Sequence, residues 1–67
     1  MPEDVRKRAM LAACEAWGEM YHGDDHIFSE LVRCIATRDV AGAISKVEWL
    51  PCAEKWVSLL ALLETCK

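Results

Sequence analysis

Apolar residues recur with a helical period in the C-terminal segment, residues 51–67, which is the most apolar part of the chain. Pro51 suits the first position of a helix, where the missing N–H would have no partner in any case. The pattern predicts a helix from Pro51 to Lys67 with Leu60 at the centre of its buried face. Steps of three and four place the following residues on that face: Ala53, Trp56, Val57, Leu60 and Leu63, with Leu59 and Cys66 beside them.

This segment is apolar over a wider arc than the stripe an ordinary surface helix buries, which spans about 100°. Leu62 interrupts the side that otherwise carries Glu54, Lys55 and Ser58. We therefore expect Leu62 to point away from the core and Leu59 to lie at the margin of the buried face. Such a helix is either central, contacted on several sides, or it presents its outer edge to a partner.

Three segments upstream have the same period. The first runs from Pro2 to about Tyr21, the second ends at about Ala36, and the third runs from Val40 to about Trp49. Small side chains on the inner face of the first segment allow another helix to approach closely: Ala9, Ala12, Ala13 and Ala16.

Two short breaks separate these segments, His22–His26 around Gly23 and Thr37–Asp39. Glycine favours the left-handed residue that ends a helix, and aspartate or threonine caps the helix that follows. Because short links make consecutive helices antiparallel neighbours, the sequence predicts an all-α bundle of three to four helices. It comprises an antiparallel hairpin, a short third helix and the apolar C-terminal helix.

The composition fits one domain over residues 1–67 and leaves more apolar surface than so small a domain buries. The hydrophobic fraction is 54% in a chain of 67 residues, near the lower limit for a single sufficient core. We expect some of this surface to be exposed or covered by association with another chain.

The net charge of −3 disfavours unaided binding to nucleic acid, which requires a basic face. No apolar run approaches the roughly 20 residues of a membrane-spanning helix. The first residues lack the apolar core and cleavage pattern of a signal peptide. These features lead us to expect a cytoplasmic protein without a membrane partner.

Three tryptophans are many for a domain of this size. Trp17 and Trp56 fall on predicted core faces, whereas Trp49 ends the third helix. Tryptophan is favoured at protein interfaces because it buries a large area with few rotatable bonds. We expect Trp49 and Leu62 to form the centre of an exposed partner-binding patch, with Leu59 at its margin and Lys55 on its rim.

The sequence signals for metal binding, redox chemistry and catalysis are weaker than those for a protein interface. His22, Asp24, Asp25 and His26 are metal-ligand types, but helix capping and solvation explain them fully. The four cysteines form no C-x-x-C pair, and in a reducing compartment we expect free thiols, including Cys14 and Cys34. No nucleophile lies beside a base in a pattern that indicates an enzyme or a cofactor site.

The leading hypothesis is a small, acidic, non-catalytic interaction module that binds a larger protein assembly or forms a homo-oligomer such as a dimer. Inhibitors and adaptors, including those of phages and mobile elements, belong to this class. One alternative is a nucleic-acid-binding regulator that uses the second and third helices as a helix-turn-helix. The other is a metal- or redox-responsive helical protein that uses the His22–His26 loop or the thiols.

Overall fold

A computed structural model describes residues 1–18 and 26–66, and this part of the chain consists of helices and connecting turns without a strand. This confirms the predicted all-α fold. Its elements are α1 (Glu3–Gly18), α2 (His26–Ala36), α3 (Val40–Glu48), a 3₁₀ helix (Ala53–Trp56) and α4 (Val57–Glu64).

Helix α1 begins with two acidic residues that pair with arginines one turn later. Glu3 accepts hydrogen bonds from Arg6, and Asp4 pairs with Arg8 at 3.0 Å. Acidic side chains in the first turn also interact favourably with the helix dipole. The inner face carries Ala9, Ala13 and Ala16, which are all buried, and α1 contacts α2, α4 and the 3₁₀ helix. The thin inner face predicted from these alanines is therefore confirmed.

Contacts at both ends show that α1 and α2 are antiparallel. Near the end of α1, the ring of Trp17 stacks on that of Phe28, at the start of α2, with centroids 4.7 Å apart. At the other end, Arg38 follows α2 and its guanidinium lies 2.5 Å from the carboxylate of Glu3. The predicted helical hairpin is confirmed, although residues 19–25, on which the predicted end of the first helix and the break around Gly23 fall, lie outside the described residues.

The turn between α2 and α3 is held by backbone hydrogen bonds from Arg38 to Ile35 and from Asp39 to Cys34. This pair of bonds defines a Schellman motif. Arg38 occupies its left-handed position with a φ of 62°. Asp39 then caps α3 by accepting a hydrogen bond from the N–H of Gly42. A Cβ atom at position 42 would lie 2.3 Å from the Asp39 carboxylate, so a larger residue there would require this side chain to shift.

The prediction of a single helix from Pro51 to Lys67 is wrong. Cys52 adopts a left-handed conformation with a φ of 58°, a 3₁₀ helix follows, and α-helical geometry starts only at Val57. Pro51 therefore lies in a turn rather than at the start of a helix. Lys67 lies outside the described residues.

The buried face of α4 also differs from the predicted one. Leu59, expected at the margin, is 1% exposed, and Leu60, expected at the centre, is only half-buried. Val57 is 62% exposed instead of buried. Leu62, expected to point outward, is half-buried and packs against the core. The core lies between the helices and has these members: Ala9, Ala13, Ala16, Leu31, Ile35, Ala43, Val47, Leu50, Trp56, Leu59 and Leu63.

Candidate protein-interaction surface

The most exposed large apolar side chain among the described residues belongs to Trp49, at 76%. It lies in residues 48–55, which we call the Trp49 corner: the end of α3, the turn through Pro51 and the start of the 3₁₀ helix. Every residue of this corner is exposed except Leu50. The structure thus places Trp49 in a continuous exposed segment.

The Trp49 corner is held to the core by both side-chain and backbone contacts. The N–H groups of Trp49 and Leu50 donate to carbonyl oxygens of the last turn of α3, and the Leu50 side chain is buried. Beyond the turn, the indole Nε1 of Trp56 donates a hydrogen bond of 3.0 Å to the carbonyl oxygen of Pro51. Because Trp56 is fully buried, this bond fixes the corner to the centre of the domain.

The sequence-predicted contact residues fall into two groups in the structure. Trp49 and Lys55 both lie on the Trp49 corner and are exposed. Leu59 is a core residue, and Leu62 is half-buried against the core. Leu59 is therefore too buried to lie at the margin of a binding patch, whereas partner binding by Trp49, Leu62 and Lys55 stays a prediction.

Sequence reasoning missed other exposed residues. Pro51 and Cys52 belong to the corner, although the helical pattern placed both in the C-terminal helix. Two further large apolar side chains, Leu11 on α1 and Val57 on α4, are exposed by 61% and 62%.

Three acidic residues of the first two helices lie in ion pairs, unlike the two of the Trp49 corner. Glu3, Asp4 and Glu30 each pair with an arginine. The hydrogen bond from Arg6, with the charges of Arg6, Arg38 and Lys7, lowers the pKa of Glu3 to about 2. Glu48 and Glu54, in contrast, have no ion-pair partner in the described part of the chain. The corner therefore carries two carboxylates that lie outside the ion pairs of the described residues.

A shallow cleft of about 310 Å³ adjoins the corner, between α1 and the start of α4. Ala12 and Ala16 are its apolar residues, and its other lining residues are Glu15, Glu54, Lys55 and Ser58. A cleft with this many charged and hydroxyl groups fits a polar or cationic group better than an aromatic ring.

The loop proposed for metal binding lies mostly outside the described residues, which contain only His26 of its four candidate ligands. Residues 1–18 and 26–66 contain no cluster of three or more histidine, cysteine or acidic residues arranged to hold a metal. All four cysteines are free; Cys14 and Cys52 are exposed. Burial raises the pKa of the Cys34 thiol, which keeps that group protonated and less reactive.

The helix-turn-helix hypothesis depends on α3 as a recognition helix. The one basic residue of α3 is Lys46, and it lies close enough to Glu30 for its charge to contribute to the lowered pKa of that carboxyl. The strongest contribution to that pKa comes from the hydrogen bond of Arg33. Nucleic-acid binding through α3 stays a prediction.

Comparison with known protein families, with curated proteins and with solved structures finds no match for this chain. Among the described helices, none combines the length and the apolar character needed to cross a membrane.

Proposed function

We propose that the protein is a non-catalytic interaction module that binds another protein through the Trp49 corner. The observation that carries this proposal is the 76% exposure of Trp49 on a segment that is otherwise anchored to the core. Burial of an exposed indole against a partner removes apolar surface from water, which lowers the free energy of the complex.

The anchoring of the corner supports the same proposal. Ordering side chains and loops at an interface costs about 0.5–1.5 kcal/mol for each side chain that becomes immobilised. The Pro51 carbonyl is already bound by Trp56, and Leu50 is already buried. A partner therefore meets a corner whose ordering has largely been completed by folding.

A small acidic module of this kind acts as an inhibitor or an adaptor on a larger protein assembly, or assembles with its own copies, in the cytoplasm. An inhibitor must cover a functional site of its partner with the corner. An adaptor must also bind a second protein through another surface. Leu11 and Val57, exposed on α1 and α4, are the residues on which such a second surface would be centred.

Site-directed photo-cross-linking in the native cell tests the proposal. Benzoylphenylalanine replaces Ala53, an exposed corner residue, so that Trp49 is retained. We expect a protein adduct from this position and none from the same probe at Ala36, which is exposed at the end of α2.

A second substitution identifies the contribution of the indole. Trp49→Ala in the cross-linking background should reduce adduct yield at least about tenfold, as expected for an interface hot spot. Leu11→Ala, which also removes an exposed apolar side chain, is the matched control and should leave the yield unchanged. Equal adduct yields from positions 53 and 36, or an undiminished yield with Trp49→Ala, would contradict the proposal.

A further inference from the structure

We infer that the partner surface is an apolar pocket for Trp49 rimmed by lysine or arginine side chains. This inference rests on the proposed function and adds the chemistry of the partner. It follows from the charges beside Trp49 and from the shape of the corner that carries it.

The charge distribution supports a basic rim. Glu48 precedes Trp49 directly, and Glu54 lies on the far side of the turn; both are exposed, and neither pairs with an arginine or lysine in the described part of the chain. Glu3 and Asp4, at the start of α1, are instead paired with neighbouring arginines. Unpaired carboxylates beside an exposed indole complement a partner in which basic groups surround an apolar pocket.

The shape of the corner indicates that the partner supplies the recess. Trp49 projects from the end of a helix, and the residues that follow it form a turn rather than a concave wall. Leu50 is directed into the core of its own domain. An indole that projects in this way is buried only when the opposite surface is concave.

A second copy of this chain fits poorly as the partner at this corner. The cleft beside the corner is lined by Glu15, Glu54 and Lys55, so it does not provide apolar walls for an indole. A symmetric pairing of two corners brings Glu48 and Glu54 near the same residues of the other copy, and each copy carries a net charge of −3. Like charges at an interface disfavour association. The occupant we propose is therefore a different, basic-rimmed protein.

The experiment measures binding of the full chain to the protein recovered as the adduct of the Ala53 probe. Glu48→Gln combined with Glu54→Gln should weaken binding about tenfold at low salt, mainly through a slower association rate. The same pair should flatten the dependence of affinity on salt. The cross-linked peptide should contain lysine or arginine beside apolar residues.

Glu3→Gln combined with Asp4→Asn is the matched control, because it removes the same number of negative charges at the start of α1, whereas the corner adjoins the other half of that helix at Ala12 and Ala16. Its affinity should stay within about twofold of the wild type once circular dichroism shows that it is folded. Unchanged binding of the Glu48/Glu54 pair would overturn the basic rim and leave the proposed function intact. Adducts formed only with another copy of this chain would overturn the inference in the same way. Failure of both Ala53 and Ala36 probes to form an adduct would overturn the proposed function itself.

Discussion

Trp56 contacts Pro51 through a hydrogen bond from its indole Nε1 to the proline carbonyl oxygen, 3.0 Å long, while its ring is fully buried in the core. One side chain therefore fills the centre of the domain and also closes the turn that precedes it. This contact explains the conformation of the segment between the two residues, because the chain must turn at Cys52 before the indole can reach back to Pro51.

We expect Trp56→Phe to lower the free energy of unfolding by about 1–3 kcal/mol, since it removes the hydrogen bond and leaves a small cavity. Urea denaturation followed by circular dichroism measures this change. Trp49→Phe is the control and should stay within about 0.5 kcal/mol of the wild type, because Trp49 is exposed. Equal effects of the two substitutions would mean that the Trp56 contact contributes little.

The buried face of α4 predicts a specific order of sensitivity. Leu59→Ala should cost about 2–5 kcal/mol, as for other fully buried leucines, and Val57→Ala should cost less than about 0.5 kcal/mol. The helical pattern of the sequence alone predicts the opposite order for these two positions. The free energies of unfolding of the two variants, from thermal and urea denaturation, decide between the buried face of the structure and the face predicted from the sequence.

The alanine face of α1 should not tolerate a larger side chain. Ala13 is fully buried where α1 meets its neighbours, so Ala13→Leu should destabilise the domain by about 1–3 kcal/mol through overpacking. Cys14→Leu adds a similar volume at the adjacent, exposed position. A melting temperature that falls as far for Cys14→Leu as for Ala13→Leu would argue against close packing at α1.

The left-handed conformation of Arg38 predicts a difference between two substitutions that both remove the guanidinium. A residue with a Cβ atom pays about 1–2 kcal/mol in this region, and glycine does not. Arg38→Gly should therefore be about 1 kcal/mol more stable than Arg38→Ala. Equal urea midpoints would show that the turn relaxes when the ion pair with Glu3 is lost.

Glu3 gives the stability a defined dependence on pH. Its pKa is about 2 in the folded chain and 4.5 ordinarily, so its ionised form stabilises the fold fully above about pH 4.5. That contribution disappears as the pH falls towards 2. We expect the melting temperature to fall over this range, and to fall less steeply in Glu3→Gln. Because the ion pairs are exposed, added salt should also reduce the slope; identical slopes for the variant and the wild type would contradict this role.

Much of the fold was predictable because its first three helices obey local rules. The end of α2 and the bounds of α3 match the predicted segments closely, since apolar periods and capping residues are encoded within a few positions, as Asp39 illustrates for α3. The hairpin also follows from short links between amphipathic segments.

The C-terminal segment was less predictable because a tertiary contact determines where its helix begins. Helical periodicity describes residues 51–67 almost equally well if the helix starts at Pro51 or at Val57, and it does not decide which side of so apolar a helix faces the core. The bond from Trp56 to Pro51 and the left-handed Cys52 select the later start, and neither is a local preference of these residues. Trp49 and Lys55 were predicted correctly to lie at the surface. The burial of Leu59 and Leu62 was predicted incorrectly, because it depends on which side of α4 packs against the other helices.

The three tryptophans occupy three different environments: Trp56 is enclosed by the core, Trp17 is stacked on Phe28, and Trp49 is in contact with water. Indole emission shifts to shorter wavelengths as the surroundings become less polar, and collisional quenchers reach only accessible rings. The chain therefore contains its own optical reporters, without an added dye. A partner that covers the corner should shift the emission of Trp49 to shorter wavelengths and protect it from quenchers. Unfolding should instead change the emission of Trp56.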